Sequence, residues 1–142
     1  MIFWDASAVV PLLAPEQPQA SDVASVLEAD GSLVVWWATT VECESAFARA
    51  QRADRMDDEL ASYARARLVI LAASWDEVPP SDAIRETAVR LLHRHHLSSA
   101  DALQLAAALA WCSDRPAGHR FCCLDQRLSV AALAEGFEVV PS

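Results

Sequence analysis

The chain contains no lysine and no asparagine. Without lysine there is no amine for Schiff-base chemistry and no phosphate-gripping lysine of a P-loop. Without asparagine a Cys-His-Asn arrangement is excluded. Cysteine is sparse and unpatterned: Cys43, Cys112, Cys122 and Cys123 form no C-x-x-C pair and no finger spacing, so no structural zinc site is expected. All four read as small core residues, and the neighbours Cys122 and Cys123 should point to opposite faces of one strand. Long apolar runs are also missing. None approaches the roughly 20 residues that a membrane span needs. The opening "MIFWDASAVV" has no basic segment ahead of its apolar one, so it does not read as a signal peptide, and the expected compartment is the cytoplasm.

What is present suits a globular domain. The 142 residues are 54% hydrophobic and 22% charged, enough for one domain (1–142) with a substantial core. A net charge of −9 argues against simple coating of nucleic acid, which needs a basic surface. An acidic protein can still act on a phosphate backbone if cations bridge the two.

Strands are expected at 2–4, 33–37, 75–78, 121–124 and 137–140. Helices are expected from Ser7 onward and at 18–29, 40–52, 57–73, 81–94, 98–113 and 126–135, with Gly136 as the last helical stop. Pro11 is tolerable only near the first turn of its helix, and Pro18 should open the next one. The run at 33–37, rich in Val and Trp, suits a strand buried on both faces. Strands alternating with helices predict an α/β domain with a mainly parallel sheet.

Four acids stand where a strand hands over to a helix or in a helix's first turn: Asp5, Glu42, Asp101 and Asp125. The strand ends of a parallel sheet share one edge, so these residues can converge although they are far apart in sequence. Each also has a purely structural explanation, because acids cap and stabilise helix N-termini. Thr39 with Glu42 and Ser98 with Asp101 fit the capping-box spacing, and Asp125 could cap its own helix. Capping, however, requires no convergence. Carboxylates brought within about 5 Å of one another cost roughly 3 kcal/mol per pair at an effective dielectric near 20. A divalent cation relieves that cost, and an oxygen-only donor set selects Mg²⁺ or Mn²⁺ over Zn²⁺. Glu44 competes with Glu42, since the two flank a buried stripe of Cys43, Ala46, Phe47 and Ala50 on opposite sides.

Other features read as structural. His93, His95 and His96 in "HRHH" sit at a helix C-terminus, where the dipole favours basic groups. Trp37, Trp75 and Trp111 read as core, with Trp36 open. Ser7 could support a metal site or cap the helix it begins.

Taken in order, "DASAVV", "WATTVECESAFAR", "LSSADALQLAAAL" and "CLDQRLSVAALAEGFEVV" resemble a PIN domain over nearly the whole chain, and within it the VapC-type toxins of bacterial toxin–antitoxin pairs. The resemblance implies a three-layer sandwich, with a five-stranded sheet between helices, and a Mg²⁺- or Mn²⁺-dependent endoribonuclease. It places the acidic quartet on Asp5, Glu42, Asp101 and Asp125, which selects Glu42 over Glu44. It puts supporting hydroxyls on Ser7 and Thr40. It further implies a homodimer and a small antitoxin partner. The charge of −9 favours a basic partner segment, with an Arg whose planar fork bridges two carboxylates. Arg49, Arg52, Arg55, Arg65 and Arg67 are the expected phosphate contacts.

Rival acid-cluster enzymes fit less well. A phosphoacceptor receiver domain and a dehalogenase-type phosphatase both rely on a lysine, and the latter wants D-x-D where Ser7 stands. An RNase H-like nuclease opens with antiparallel strands, which "FWDASAVVPLLA" does not offer. The remaining alternatives are a PIN-like module that binds RNA or protein without catalysis, and a PIN nuclease that processes RNA outside any toxin system.

Overall fold

Ile2, Phe3 and Trp4 are completely buried and form a three-residue strand, β1 (Ile2–Trp4). So short a strand can be central because its side chains alternate between two cores. In the computed structural model, which describes all 142 residues, β1 is followed by α1 (Ala6–Leu13), α2 (Ala20–Ala29), β2 (Leu33–Trp36), α3 (Thr39–Arg52) and α4 (Asp58–Ala72). Then come β3 (Asp76–Val78), α5 (Asp82–Arg94), α6 (Ser99–Trp111), β4 (Arg120–Cys122), α7 (Gln126–Glu135) and β5 (Glu138–Val140). The strands form one sheet in the order β3-β2-β1-β4-β5, and every pairing is parallel.

The alternation assigns the layers. Ile2, Trp4, Leu33, Val35 and Cys122 join the core under α1 to α4, with Val9, Phe47 and Leu68. Phe3, Val34, Trp36 and Phe121 join the opposite core under α5 to α7, with Leu91, Leu105 and Leu128. Phe3 and Phe121, paired in register, stack at 5.4 Å between ring centroids. All four cysteines are free and buried, and Cys122 and Cys123 enter opposite cores. The result is a three-layer sandwich with a parallel five-stranded sheet between helices.

Several local expectations need correction. Pro18 lies in a turn before α2, which begins at Ala20 with no side-chain cap. Pro11 sits in the interior of α1, and the helix ends soon after it, at Leu13. Trp37 is not core. The chain leaves the sheet there to turn into α3, and its side chain is 57% exposed against the edge of Trp36. Trp36 and Trp75 are buried, while Trp111 is partly buried beside Phe3. The last helix of the α5–α6 pair stops at Trp111 rather than Ser113, because Ser113 and Asp114 take φ of 55° and 59°.

Gly136 ends α7 in the left-handed region, at φ 113°. A Cβ there would lie 3.0 Å from the ring of Pro116. Gly136→Ala should therefore destabilise the protein by about 1–3 kcal/mol in urea unfolding, from strain at positive φ plus the contact with Pro116. Gly31 has ordinary φ and its nearest obstruction is 3.9 Å away, so Gly31→Ala should change stability by less than about 0.5 kcal/mol.

Candidate active site at the carboxyl edge of the sheet

The strand order reverses direction beside β1. The chain steps outward from β1 to β2 and β3, then crosses back to β4 on the other side. In open parallel sheets the crevice at such a switch point, outside the carboxyl ends, is where ligands bind. Asp5 follows β1 directly, and its backbone N–H continues the ladder by donating to the Cys122 carbonyl at 2.9 Å. Asp125 follows β4 and begins α7. Glu42 lies in the first turn of α3, which starts after β2, and Asp101 in the first turn of α6, which returns to β4. All four line one cavity of about 600 Å³, together with Ser7, Arg49 and Arg55.

Asp5 is the deepest of them, with 3% of its surface exposed. It is also the N-cap of α1, accepting from the Ser7 N–H at 3.0 Å. Burial raises its carboxyl to about 6. The Ser7 hydroxyl and N–H oppose that rise, and the charge of Asp101 adds to it. Because Asp5 caps α1, the Ser7 hydroxyl is free to act elsewhere. Its Oγ accepts from the Leu124 N–H at 3.0 Å and ties α1 to the end of β4.

Glu42 is held from the side. Gln104, fully buried on α6, donates its Nε2 to Glu42 Oε2 and also to Thr39 Oγ1, at 3.2 Å for the latter. Burial raises Glu42 to about 7; the Gln104 bond lowers it, and the charges of Asp5 and Asp101 raise it. Thr39 is therefore no helix cap. It is the first residue of α3, buried, and its hydroxyl faces Gln104. Thr40 is only partly buried and does not line the cavity. Glu44 points away and pairs with Arg65 at 2.9 Å.

Asp101 is half-buried and its carboxyl is raised by burial and by the charge of Asp125, with Ser98 lowering it. Ser98 caps α6 by accepting from the Asp101 N–H at 3.2 Å. Asp125, exposed, caps α7 by accepting from Leu128 N–H at 2.9 Å. Capping and convergence are thus compatible at Asp5 and Asp125: one carboxylate oxygen serves the cap while the residue lines the cavity.

Two arginines expected near phosphate are engaged elsewhere. Arg65 is on Glu44, and Arg67 donates to the Leu12 carbonyl at 2.7 Å. Arg49 and Arg55 remain at the acidic cavity. The residue that sequence reasoning missed is Gln104. Its signal is visible, a lone amide on the otherwise apolar face of "ALQLAAAL". As the side chains stand, no three His, Cys, Asp or Glu are grouped closely enough to hold a metal ion. The four carboxylates that line the cavity are all oxygen donors, a donor type that suits a hard divalent cation and offers no soft ligand.

Solved structures share this architecture. VapC20 from Mycobacterium tuberculosis, a toxin that cleaves the sarcin-ricin loop, superposes with a TM-score of 0.65 at 20% identity, covering 92% of this chain and 95% of that one. VapBC2 from Rickettsia felis, bound to a DNA fragment from its promoter, gives 0.67 at 10% identity, with 98% of each chain covered. A toxin–antitoxin complex from Klebsiella pneumoniae gives 0.63 at 16% identity, with 89% and 88% covered. These likenesses show the fold. No curated protein matches the sequence. The model of the PIN domain, however, matches residues 2–112, which take in β1, Asp5, Glu42 and Asp101, and the chain belongs to the PIN domain family.

Proposed function

We propose that this chain is a Mg²⁺- or Mn²⁺-dependent endoribonuclease and the toxin of a toxin–antitoxin pair. The observation that carries the reading is the meeting of Asp5, Glu42, Asp101 and Asp125, from four separate elements, around one cavity at the sheet's switch point. The family, whose members are generally nucleases, and the toxins that share the fold support it.

The chain's own residues divide the work. Asp5, Asp101, Glu42 and Asp125 would hold and orient the cation. A divalent cation bound there neutralises charge at the reacting phosphate and acidifies an attacking water. One of these acids can accept the proton of the attacking water. Gln104 aims Glu42, and Ser7 fixes α1 against β4 so that Asp5 keeps its place. Arg49 and Arg55, on the wall of the cavity, meet the phosphates of the substrate strand.

The antitoxin is a small basic protein. Its tail lies in the apolar cavity of about 720 Å³ between α1, α2 and α4, lined by Leu12, Leu27, Tyr63 and Ile70. α1 borders both this groove and the acidic cavity, so one segment can fill the groove and set an Arg among Asp5, Glu42 and Asp101. A homodimer completes the proposed assembly.

Removing a carboxylate from the ring separates the metal reading from the capping one. Asp5→Asn and Asp101→Asn should abolish RNA cleavage while leaving the chelated protein as stable as before or more so. Asn at position 5 still caps α1, Asp101 caps nothing because Ser98 holds the cap of α6, and like-charge strain is relieved. Glu44→Gln removes only an exposed pair and should be nearly silent. A folded Asp101→Asn variant that cuts RNA at the normal rate would end the assignment.

In chelated buffer, stability should fall as pH rises from about 4 to about 7. Asp5 and Glu42 have folded values of about 6 and about 7 against 3.8 and 4.5 unfolded, so the native state binds more protons within that window. The cost is absent below the unfolded values and complete above the folded ones. For Asp5 it reaches roughly 3 kcal/mol, and Glu42, which is partly exposed, adds less. Mg²⁺ or Mn²⁺ at neutral pH should restore stability by mass action, while EDTA should stop cleavage. Thermal melts across pH with and without the ion read all of this. A flat profile, or full activity after exhaustive chelation, would remove the basis for the metal site.

Inhibition by the antitoxin should weaken as Mg²⁺ rises, since its Arg and the cation claim the same carboxylates. Affinity measured by calorimetry at several Mg²⁺ concentrations, and for Asp101→Asn, tests this. Indifference to both would mean that the antitoxin acts elsewhere.

A further inference from the structure

The "HRHH" segment is not used by the proposed chemistry, yet its position is specific. A third cavity, of about 470 Å³, is lined by Arg94 at the end of α5, by His95 and His96 from the α5–α6 turn, and by Gln126 and Arg127 from the start of α7. It contains no acid. Its lining is joined along the chain to that of the acidic cavity in two places. Asp125 of the acidic cavity is bonded directly to Gln126 of this one. The turn carrying His95 and His96 leads through Ser98 into Ala100 and Asp101. The linings of the two cavities are thus chain neighbours at the Asp125–Gln126 step, where α7 begins after β4.

The basic cavity is also braced from behind. Glu135, with its side chain 7% exposed, accepts from His95 Nε2 at 2.8 Å and faces Arg94 at 3.6 Å and Arg90 at 3.7 Å. One buried carboxylate thus orients three cationic side chains, whose positive charge exceeds its own when His95 is protonated and still does when it is neutral. Arg127, on the opposite wall, has no salt-bridge partner. In a chain of net charge −9, this places uncompensated positive charge next to the reacting centre.

We propose that the cavity of Arg94, His95, His96 and Arg127 is a phosphate subsite that holds the RNA strand where it leaves the acidic centre, on the side away from Arg49 and Arg55. This rests on the endoribonuclease reading and adds the path of the substrate to it. Arginine supplies the planar, bidentate match to a phosphate, and backbone contacts of this kind position a strand without reading its sequence. The spacing suits a continuous strand, since neighbouring cavities on one edge can take its successive phosphates.

The test is fluorescence anisotropy of the full chain with a labelled mixed-sequence single-stranded RNA of about twelve nucleotides, in EDTA, over a series of salt concentrations. Arg94→Gln with Arg127→Gln removes two charges from exposed positions and leaves His95 on Glu135. Arg65→Gln with Arg85→Gln removes the same net charge elsewhere. The subsite variant should lose about tenfold in affinity and its salt dependence should flatten by between one and two in slope, while the control changes little. In Mg²⁺ the same variant should raise KM for this RNA and leave kcat unchanged. Equal loss in both double variants, or no loss in the first while the parent binds and cuts RNA, would overturn the subsite and leave the nuclease reading intact. A parent chain that neither binds nor cuts RNA would overturn both.

Discussion

The burial of Asp5 at the end of the central strand is the constraint on which the rest of the structure depends. A carboxylate in that position cannot rely on water, so the fold must supply its hydrogen bonds, and α1 does so with its own free N-terminal N–H groups. The cap therefore fixes the direction in which α1 leaves the sheet. Ser7, released from capping, binds the backbone beyond β4 and locks α1 across the switch point. What remains uncompensated is the charge. Burial alone already disfavours ionisation at Asp5 and Glu42, and the mutual repulsion of Asp5, Glu42 and Asp101 adds to it. A domain that only needed to be stable would not keep such a group of acids at one opening.

The same tension explains Gln104. The inner face of α6 is otherwise Ala and Leu, which pack closely against Phe3 and Phe121. A buried amide there carries a cost, and the Oε1 atom of Gln104 is in fact left without a partner. That cost is understandable if the other end of the amide matters more. Turned the other way, the amide would set oxygen against the oxygen of Glu42. As it stands, one N–H₂ group serves both Thr39 and Glu42 and joins α6 to α3.

The architecture is legible in the sequence because β1 and β2 are short apolar runs buried on both faces, while the edge strands β3 and β5, which begin with exposed Asp76 and Glu138, are marked by their places between helices. The acids are legible for a topological reason: in a parallel sheet, residues just after strands share an edge whatever their separation in sequence. The differences are local. At Pro18 and Pro11 the turn before α2 and the brevity of α1 override the usual helix-terminal preferences. Trp37 has hydrophobic neighbours that suggest core, yet the chain has already left the sheet there. Thr39 matches a capping-box spacing while its hydroxyl turns inward to Gln104, because packing against α6 outweighs a cap worth about 1 kcal/mol. The choice between Glu42 and Glu44 cannot come from periodicity, since both flank the same buried stripe. Only the partners decide it: Gln104 on one side of the helix and Arg65 on the other.

Net charge is a poor guide to what this surface can hold. A total of −9 describes the whole molecule, but binding responds to the field within about 8–10 Å at ordinary salt. On the carboxyl edge of the sheet the charges are sorted rather than mixed. Acids gather where four elements converge, Arg49 and Arg55 stand on one wall, and the α5–α6 turn with Arg127 forms a basic neighbour. Lysine is not needed for such sorting, and arginine suits it better, since its guanidinium keeps its charge beside other cations and can be oriented by one carboxylate such as Glu135. An acidic protein can thus carry local basic clusters whose sign is opposite to that of its net charge.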